Sequence, residues 1–442
     1  MLNRRDILKW SVAGSTPFIG ALAQAQEAVT LDVLYCQPSF AKFHEPIAAE
    51  FMKRQSTIKI NFRAPAANYD EGHQAMLRQA MTSQLPDMYY SGYHLQSELV
   101  RTLVKRKQIT EIGPLLEKEG MAWRRQNYSE NVLSLGKVDG RTYGLAFNAS
   151  LPIIYFNEQL VRAGGGDPNK MPDTWDGMIA LAAQIKAKGG ADVAGMAYNV
   201  HEWPDDWLFR SMVLQAGGSM LNPAETASAI SGPVGFKVMR NFRKMVTDGG
   251  MPVMDWEQSR QLFIAGKIGI FADTPARLRQ VTDLIGDKYT LRTSVFPVDD
   301  KANGGLPTGG CAALITAATP AKQKAAWEFL KFVGGPEAQK IVVESTGYAP
   351  TNLKAAEALG GFYEQNPNFK TVSIAASRAK PWQGYPGGSS VAIWRAQRDA
   401  INGVMRGHLS PEAGIEKLVL DTNNLMKRCG PACIASGGPA KS

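Results

Sequence analysis

Aromatic and acidic side chains occur together in the segment 201–207, which reads His-Glu-Trp-Pro-Asp-Asp-Trp. An indole ring covers the C–H face of a sugar or polyol, and a carboxylate accepts strong hydrogen bonds from hydroxyl groups. Because proline and charged residues favour a loop here, we expect Trp203 and Asp206 to contact a ligand. Core packing is the alternative for Trp203. We also place the rings of Tyr69, Tyr93 and Tyr385 in the site. The rings of Trp207 and Trp382 are further candidates for contact with a ligand.

A second polar group follows the apolar run 268–271, where Asp273 precedes a predicted helix start. Asp273 either accepts hydrogen bonds from ligand hydroxyl groups or caps that helix, and one carboxylate can do both. Arg277, one turn further on, either meets an anionic ligand or is an exposed structural arginine. Later in the chain, Gly309-Gly310 either lets backbone N–H groups approach the ligand or forms a plain turn.

The carboxylates also raise the alternative of a glycosidase, in which Glu202, Asp205 and Asp206 would supply a catalytic acid pair. Three common catalytic motifs are absent from the sequence: Gly-x-Ser-x-Gly, His-Glu-x-x-His and a phosphate-binding loop. The five histidines also lack the spacing of metal ligands. The residues therefore favour binding without catalysis, and without a cofactor or metal, over hydrolysis.

The N-terminus has the order of features that marks an export signal. Arg4 and Arg5 precede a short apolar stretch and then Ala-Leu-Ala at 21–23, the small residues that a signal peptidase reads. We expect residues 1–23 to be a twin-arginine-like signal peptide and the mature protein to be periplasmic. A membrane anchor is the alternative, but the apolar stretch is short for spanning a bilayer.

Composition places the chain among folded proteins. Of its 442 residues, 44% are hydrophobic and 20% are charged, which allows buried cores and argues against disorder. The formal net charge of +9 is scattered along the chain, which argues against a nucleic-acid partner. Cys429 and Cys433, in Cys-Gly-Pro-Ala-Cys, form a candidate disulfide, because an oxidising compartment favours one and a redox dithiol has two intervening residues rather than three.

Strand patterns alternate with helix patterns along most of the chain, which predicts an α/β fold with mainly parallel sheets. Residues 58–63 alternate between apolar and polar, as a strand with one buried face does. Thr174 predicts the start of a helix, and Gly189-Gly190 predicts its end. Four further helices are expected in the final third of the chain, at 321–333, 336–345, 389–406 and 411–428.

Several motifs, in order along the chain, resemble one protein family. Residues 144–157 read Gly-Leu-Ala-Phe-Asn-Ala-Ser-Leu-Pro-Ile-Ile-Tyr-Phe-Asn. Together with Asp-Thr-Trp at 173–175 and Thr-Gly-Tyr-Ala-Pro-Thr at 346–351, they are similar to the extracellular solute-binding proteins of carbohydrate ABC importers. Within that family, the sequences at 68–71 and 361–367 look most like the glycerol-3-phosphate-binding proteins. The resemblance implies a ligand held between two lobes and touched by Tyr69, Ser150, Trp203, Thr274, Gly310 and Tyr348.

The resemblance also implies a two-lobed periplasmic-binding-protein fold of type II, like that of maltose-binding protein, with chain crossings near 147, 273 and 317. The expected first lobe comprises 24–146 plus 274–316, and the expected second lobe comprises 147–273 plus 317–442. The implied function is capture of a small polyhydroxylated solute by hinge closure. A monomer would then deliver the solute to the membrane permease of an ABC importer.

Three departures from the glycerol-3-phosphate-binding pattern leave the ligand open. The arginine expected to grip phosphate is missing from 383–390, Asp206 stands where a second tryptophan is expected, and His94 stands in the site where a carboxylate is expected. The candidate ligands are therefore a neutral sugar, a polyol and a glycerol-derived phosphodiester. Because a buried phosphate needs charge-assisted donors, we expect glycerol-3-phosphate itself to bind weakly.

Overall fold

The computed structural model of the protein describes residues 28–382, 384–386 and 390–428. The expected signal peptide at 1–23 and the candidate disulfide of Cys429 and Cys433 lie outside these residues. No helix in the described ranges is both long enough and apolar enough to cross a membrane.

Thirteen strands are described, and several of them are only two residues long. They are β1 Val29–Leu34, β2 Ile58–Phe62, β3 Met88–Gly92, β4 Lys137–Val138, β5 Arg141–Thr142, β6 Gly144–Ser150, β7 Ile153–Asn157, β8 Ala194–Ala197, β9 Ile268–Asp273, β10 Leu291–Val295, β11 Leu306–Pro307, β12 Gly309–Ile315 and β13 Ala379–Lys380.

The described α-helices vary from one turn to five turns in length. They are α1 Ala41–Arg54, α2 Tyr69–Thr82, α3 Tyr93–Lys105, α4 Gly113–Lys118, α5 Met121–Asn127, α6 Glu130–Ser134, α7 Glu158–Ala163, α8 Trp175–Gly189, α9 Trp207–Gln215, α10 Pro233–Thr247, α11 Trp256–Ile264, α12 Leu278–Ile285, α13 Pro320–Val333, α14 Pro336–Ser345, α15 Leu353–Ala358, α16 Gly360–Gln365, α17 Thr371–Ile374, α18 Ser390–Arg406 and α19 Pro411–Arg428. Short 3-10 helices lie at Pro38–Phe40, Val200–Glu202, Pro275–Arg277, Pro367–Lys370 and Ala375–Arg378.

A sheet of five strands, in the order β2-β1-β3-β12-β6, forms the centre of the first lobe. β1 is parallel to β2 and β3, whereas β12 is antiparallel to β3 and β6. Along β2, Ile58, Ile60 and Phe62 are more buried than the residues between them, as the predicted alternation requires. The buried face packs against helices that include α1.

A sheet of four strands, in the order β10-β7-β9-β8, forms the centre of the second lobe. β7 pairs antiparallel with β9 and β10, and β8 runs parallel to β9. α8 begins after Thr174, whose side chain accepts a hydrogen bond from the backbone N–H of Gly177, and it ends at Gly189, as the sequence predicts. The terminal helices α18 and α19 join the core of this lobe, for example through Trp394 and Leu418.

The chain connects the lobes through short segments. Between β6 and β7 it passes from one sheet to the other at Leu151-Pro152. After β9, Ala276 packs in the core of the first lobe, whereas Leu278 packs in the core of the second. Two lobes that each have their own hydrophobic core and are joined by short connections can move relative to each other by hinge motion.

The lobe bounds expected from the sequence differ from the structure in several segments, including β10, α12, α13 and α14. β10, expected in the first lobe, pairs with β7 in the second sheet, with Thr293 opposite Tyr155. α13 and α14, expected in the second lobe, pack in the first-lobe core through Trp327 and Val342. The physical reason for the second difference is that α13 directly follows β12, and consecutive elements usually pack against each other.

Candidate ligand-binding site

A cavity of about 510 Å³ lies between the two lobes. The first lobe contributes the segments 37–40 and 67–70 and the His94 side chain, and the second lobe contributes 202–205 and three indole rings. Segments near the lobe connections complete the walls. Of the residues placed in the site from the sequence, seven line this cavity: Tyr69, His94, Ser150, Trp203, Thr274, Gly310 and Tyr348.

Three indole rings form one wall of the cavity. The ring of Trp203 lies 5.7 Å from that of Trp207, at a tilt of 37°, and 5.1 Å from that of Trp256, edge to face. The Trp207 indole N–H donates to the carbonyl of Pro307 at 2.9 Å. The carbonyl of Trp203 accepts from the Trp394 indole at 2.9 Å. These contacts fix an apolar platform of the kind that covers the C–H face of a sugar or polyol.

Trp203 combines the two roles that the sequence left as alternatives. Its side chain lines the cavity, yet the residue is only 7% exposed and belongs to the hydrophobic core of the second lobe. The neighbouring Trp256 is half-buried and packs against the same core. Trp203 is therefore both a wall of the cavity and a support of the fold.

Asp273 lies behind this wall rather than in the cavity. It is 1% exposed, and its carboxylate accepts hydrogen bonds from the Trp256 indole at 3.3 Å, from Arg260 at 3.3 Å and from its neighbour Thr274 N at 2.7 Å. The Arg260 guanidinium also stacks 3.8 Å from the centre of the Trp256 ring. Asp273, which the sequence placed in contact with the ligand, therefore does not line this cavity, because its carboxylate is buried against Arg260 and orients Trp256.

Asp206 is likewise turned away from the cavity. It forms a buried ion pair with Arg210, one helical turn later, at 2.6 Å. The Arg210 guanidinium lies 5.7 Å from the Trp382 ring and 5.5 Å from the Tyr385 ring. Asp206 thus neutralises a buried arginine instead of holding ligand hydroxyl groups, which corrects the sequence prediction for Asp206.

Two predicted tyrosines also lie outside the cavity. The Tyr93 hydroxyl donates to the backbone carbonyl of Asn148 at 3.0 Å and is buried in the first lobe. The Tyr385 hydroxyl is engaged by the Gln397 amide at 2.9 Å, and its ring packs on Arg210. Both expectations fail for the same reason, since each hydroxyl group already has a buried partner in the protein.

His94 meets carboxylates from both lobes. Its Nε2 lies 3.5 Å from Asp70 of the first lobe and 3.9 Å from Asp205 of the second. Burial would lower the pKa of His94, but Asp205, Asp70 and Asp206 together raise it above its ordinary value of 6.5. Burial raises the pKa of Asp205 to about 6, and His94 opposes that rise. His94, Asp70 and Asp205 thus meet at the cavity edge between the lobes, where the three side chains can present donors and acceptors to a ligand.

Near the lobe connections, small polar groups face the cavity. The hydroxyl groups of Ser150 and Thr274 lie 3.4 Å apart, and the carbonyl of Thr274 accepts from Tyr155 at 2.6 Å. Gly310 has φ of +114°, and a Cβ atom there would collide with Asn148. Glycine is thus required at this position, where the backbone itself borders the cavity.

The structure adds residues that were not placed in the site from the sequence. Asp70 follows the helix cap of Asn68, within the 68–71 motif, and its nearness in sequence to Tyr69 was a usable signal. Trp256 directly follows the cap residue Asp255, and a large ring at an exposed helix start is a second signal. The cavity is also lined by residues that the sequence raised only as alternatives, namely Glu202, Asp205, Trp207, Arg277, Gly309 and Trp382. Among the described residues there is no cluster of ligands suited to a metal ion.

Comparison with known proteins agrees with this architecture. Two curated relatives are sn-glycerol-3-phosphate-binding periplasmic proteins named UgpB. The one from Brucella abortus is 24% identical over 397 residues, covering 88% of this chain and 89% of that protein. The one from Agrobacterium fabrum is 22% identical over 322 residues, covering 70% of this chain and 73% of that protein.

Solved structures share the fold at low sequence identity. UgpB from Mycobacterium tuberculosis, in complex with glycerophosphocholine, superposes with a TM-score of 0.78 at 16% identity, covering 91% of this chain and 99% of that one. The sugar-binding protein MalE from Xanthomonas citri superposes with a TM-score of 0.77 at 19% identity, covering 90% and 98%. The expected two-lobed fold, like that of maltose-binding protein, is confirmed. A family model described as "Bacterial extracellular solute-binding protein" matches residues 46–371, so this chain belongs to the bacterial extracellular solute-binding proteins.

Proposed function

We propose that this protein captures a small polyhydroxylated solute between its lobes and delivers it to the membrane permease of an ABC importer. The observation that carries the proposal is the cavity of about 510 Å³, which has walls from both lobes. Its volume lies in the range typical of small-molecule sites, roughly 300–1,000 Å³. The proposed ligand contacts are Tyr69, His94, Ser150, Trp203, Thr274, Gly310 and Tyr348, with Trp256 and Asp205 added from the geometry.

The location of the cavity between the lobes supports a mechanism in which the two lobes close on the ligand. A ligand shifts a conformational equilibrium only if it contacts the two forms differently. Here Asp70 and His94 belong to the first lobe, and Trp203 and Asp205 belong to the second, so a ligand between them gains its full contacts only when the lobes approach. The closed form is then the shape presented to the permease.

The chemistry of the walls favours hydroxyl-rich ligands. Indole rings cover C–H faces, and the carboxylates of Asp70 and Asp205 accept hydrogen bonds from hydroxyl groups. The relatives are named for sn-glycerol-3-phosphate, and the structural neighbours were solved with glycerophosphocholine or described as sugar-binding. A sugar, a polyol or a glycerol-phosphate derivative is therefore the proposed ligand class.

A thermal-shift screen of the mature protein tests this proposal. Sugars, polyols and glycerophosphodiesters are added one at a time, with a zwitterionic amino acid of similar size as the control compound. A ligand present at about 100 times its Kd stabilises the folded state by about 2.7 kcal/mol, which raises the melting temperature measurably. If no hydroxyl-rich compound raises the melting temperature above the control, the proposed ligand class is wrong.

The hydrolase alternative has no support from the comparisons, because the matching family and the named relatives are binding proteins. A catalytic acid pair needs two carboxyl groups free to act on the substrate; Asp206 is held in a buried ion pair with Arg210, which leaves Glu202 and Asp205 at the cavity. Incubation with aryl glycosides of the sugars that bind tests the alternative directly. We expect no release of the aryl alcohol, whereas turnover that is lost in Asp205→Asn would establish an enzyme.

The same proposal includes export to the periplasm by a twin-arginine signal, cleavage after residue 23 and a monomeric state. The export signal is proposed from the Arg4-Arg5 pair followed by Ala-Leu-Ala at 21–23. Mass spectrometry of the native protein should find a chain that lacks the first 23 or so residues. An Arg4→Lys, Arg5→Lys double variant should accumulate in the cytoplasm, and its normal export would contradict the twin-arginine route.

A further inference from the structure

Arg277 lines the cavity and has no carboxylate partner. Among the described residues no Asp or Glu oxygen lies within 4.0 Å of its guanidinium, which donates a long hydrogen bond of 3.4 Å to the side-chain oxygen of Gln280. The side chain is half-buried. Burial lowers the pKa of Arg277, and Arg260 lowers it further. A half-buried arginine without a counter-ion is costly unless something else supplies the negative charge.

The carboxylates nearest to Arg277 are committed to other cations. Asp273 accepts from Arg260, from the Trp256 indole and from a backbone N–H. Glu257 pairs with Arg260 at 2.7 Å and is more than half exposed. Neither carboxylate lies close enough to form an ion pair with Arg277 and neutralise its charge.

Lys42 is a second cation of this kind, in the first lobe. It lies in the first turn of α1, where the helix dipole disfavours a positive charge, two residues after the cavity-lining segment 37–40. Among the described residues it has no ion-pair partner within 4.0 Å. Burial and Arg277 lower the pKa of Lys42 to about 8, whereas Asp283 opposes this shift. Asp283 itself is exposed and lies 3.9 Å from Arg279.

We infer that the ligand carries a monoanionic group, a carboxylate or a phosphodiester on a hydroxyl-rich body, which binds Arg277 at the cavity wall and is also attracted by Lys42, two residues after the cavity-lining segment 37–40. The inference rests on the proposed function and names the ligand class more closely. Without an anion, the two positive charges disfavour each other, since Arg277 lowers the pKa of Lys42. An anion bound at Arg277 offsets this repulsion.

One negative charge fits this cavity better than two. Asp70, Asp205 and Glu202 also line it and repel additional negative charge, and Arg277 is the one arginine among the described residues that line it. A phosphate monoester, which carries close to two charges at neutral pH, is therefore a poorer ligand than a monoanion. This agrees with the weak binding of glycerol-3-phosphate expected from the missing arginine.

Matched pairs of compounds test the inference by calorimetry on the mature protein. D-glucuronate is compared with D-glucose, and glycerophosphoglycerol with diglycerol, so that the two pairs distinguish a carboxylate from a phosphodiester. We expect the anionic member of one pair to bind about 10- to 100-fold more tightly, the range that hydrogen bonds to charged groups give. Glycerol-3-phosphate should bind more weakly than the preferred monoanion.

Three variants assign the preference to its residues. Arg277→Gln should abolish the preference for the anion, Lys42→Gln should reduce it, and Arg277→Lys should keep part of it. Arg106→Gln, an exposed position at the far end of α3, is the matched control and should keep the whole preference. Equal binding of the anionic and neutral members, or a preference that survives in Arg277→Gln, would overturn the inference.

Bare anions separate this inference from the proposed function. Acetate or dimethyl phosphate, substituted for chloride at constant ionic strength, should raise the melting temperature of the wild-type protein and not that of Arg277→Gln. If the neutral compounds bind but both proteins respond alike to anions, the inference fails and the proposed function stands. If no sugar, polyol or glycerophosphodiester binds, the proposed function fails, and the bare-anion result alone decides whether Arg277 is an anion site.

Discussion

Replacement of Trp203 by alanine should damage both folding and binding, and the two losses can be separated. The indole packs in the second-lobe core with 7% of the residue exposed and also contacts Trp207 and Trp256 at the cavity wall. From the sequence we expected a loop position that contacts a ligand, with core packing as the alternative. The observed burial shows that Trp203 also packs in the core, so its truncation must cost folding stability.

The magnitude follows from the burial. Truncation of a buried tryptophan costs about 3–5 kcal/mol of folding free energy. At roughly 2–4 °C per kcal/mol for proteins somewhat smaller than this one, the melting temperature of Trp203→Ala should fall by on the order of 10 °C. Loss of a central aromatic contact costs a further 2–4 kcal/mol or so in ligand binding, which corresponds to a roughly 30- to 1000-fold weaker affinity.

Two matched tryptophans separate the effects in the same assays. Trp175 is completely buried in the second-lobe core, packed on Tyr198 and Phe296, and does not line the cavity. Trp175→Ala should lose stability but keep its affinity when binding is measured well below its melting temperature. Trp256→Ala, at a half-buried wall position, should lose affinity with a smaller loss of stability.

Thermal unfolding without ligand and calorimetric titration with the ligand found by screening give both quantities for each variant. An unchanged melting temperature of Trp203→Ala would refute its placement in the core. An affinity of Trp203→Ala equal to that of Trp175→Ala would refute its placement in the binding site.

Three further substitutions test the charged groups around the cavity. Asp206→Asn leaves Arg210 buried without its counter-ion and should cost about 3–5 kcal/mol in urea unfolding; a loss below about 1 kcal/mol would show that the pair is not buried as described. Asp273→Asn should weaken ligand binding as well as stability, because Asp273 orients Trp256, and unchanged affinity by calorimetry would contradict that role. The folded-state pKa of His94 lies above 6.5, so its contribution to stability is full below about pH 6.5 and is lost as the pH rises through the raised value. His94→Gln should therefore show a smaller fall in unfolding free energy between about pH 6 and about pH 9 than the wild type, and an equal fall would refute the coupling to Asp70 and Asp205.

Local signals in the sequence predicted the helices and strands well. The cap at Thr174 and the glycines at 189–190 gave α8 its observed bounds, and the expected helix at 411–428 coincides with α19. Such elements depend on capping and on apolar periodicity, which are properties of neighbouring residues. The assignment of α13 and α14 to a lobe depended instead on which sheet they cover, and periodicity does not specify that.

The site was predicted in part, for a similar reason. Residues brought in by the family resemblance, such as Ser150 and Tyr348, line the cavity. Asp206 was misassigned although Arg210 lies four residues later on the same helix, a spacing at which ion pairs form and a signal that was available. The partner of Asp273 could not be found in this way, because Arg260 reaches it only through the tertiary packing of α11 on β9.

Hydrogen–deuterium exchange of the mature protein, with and without the ligand found by screening, tests the two-lobed clamp most directly. Amide exchange reports local opening segment by segment. We predict that the ligand slows exchange in both walls of the cavity, in segments 37–40 and 67–70 of the first lobe and in segment 202–207 of the second. Protection confined to one lobe, or protection only outside these segments, would contradict capture of the solute between the lobes.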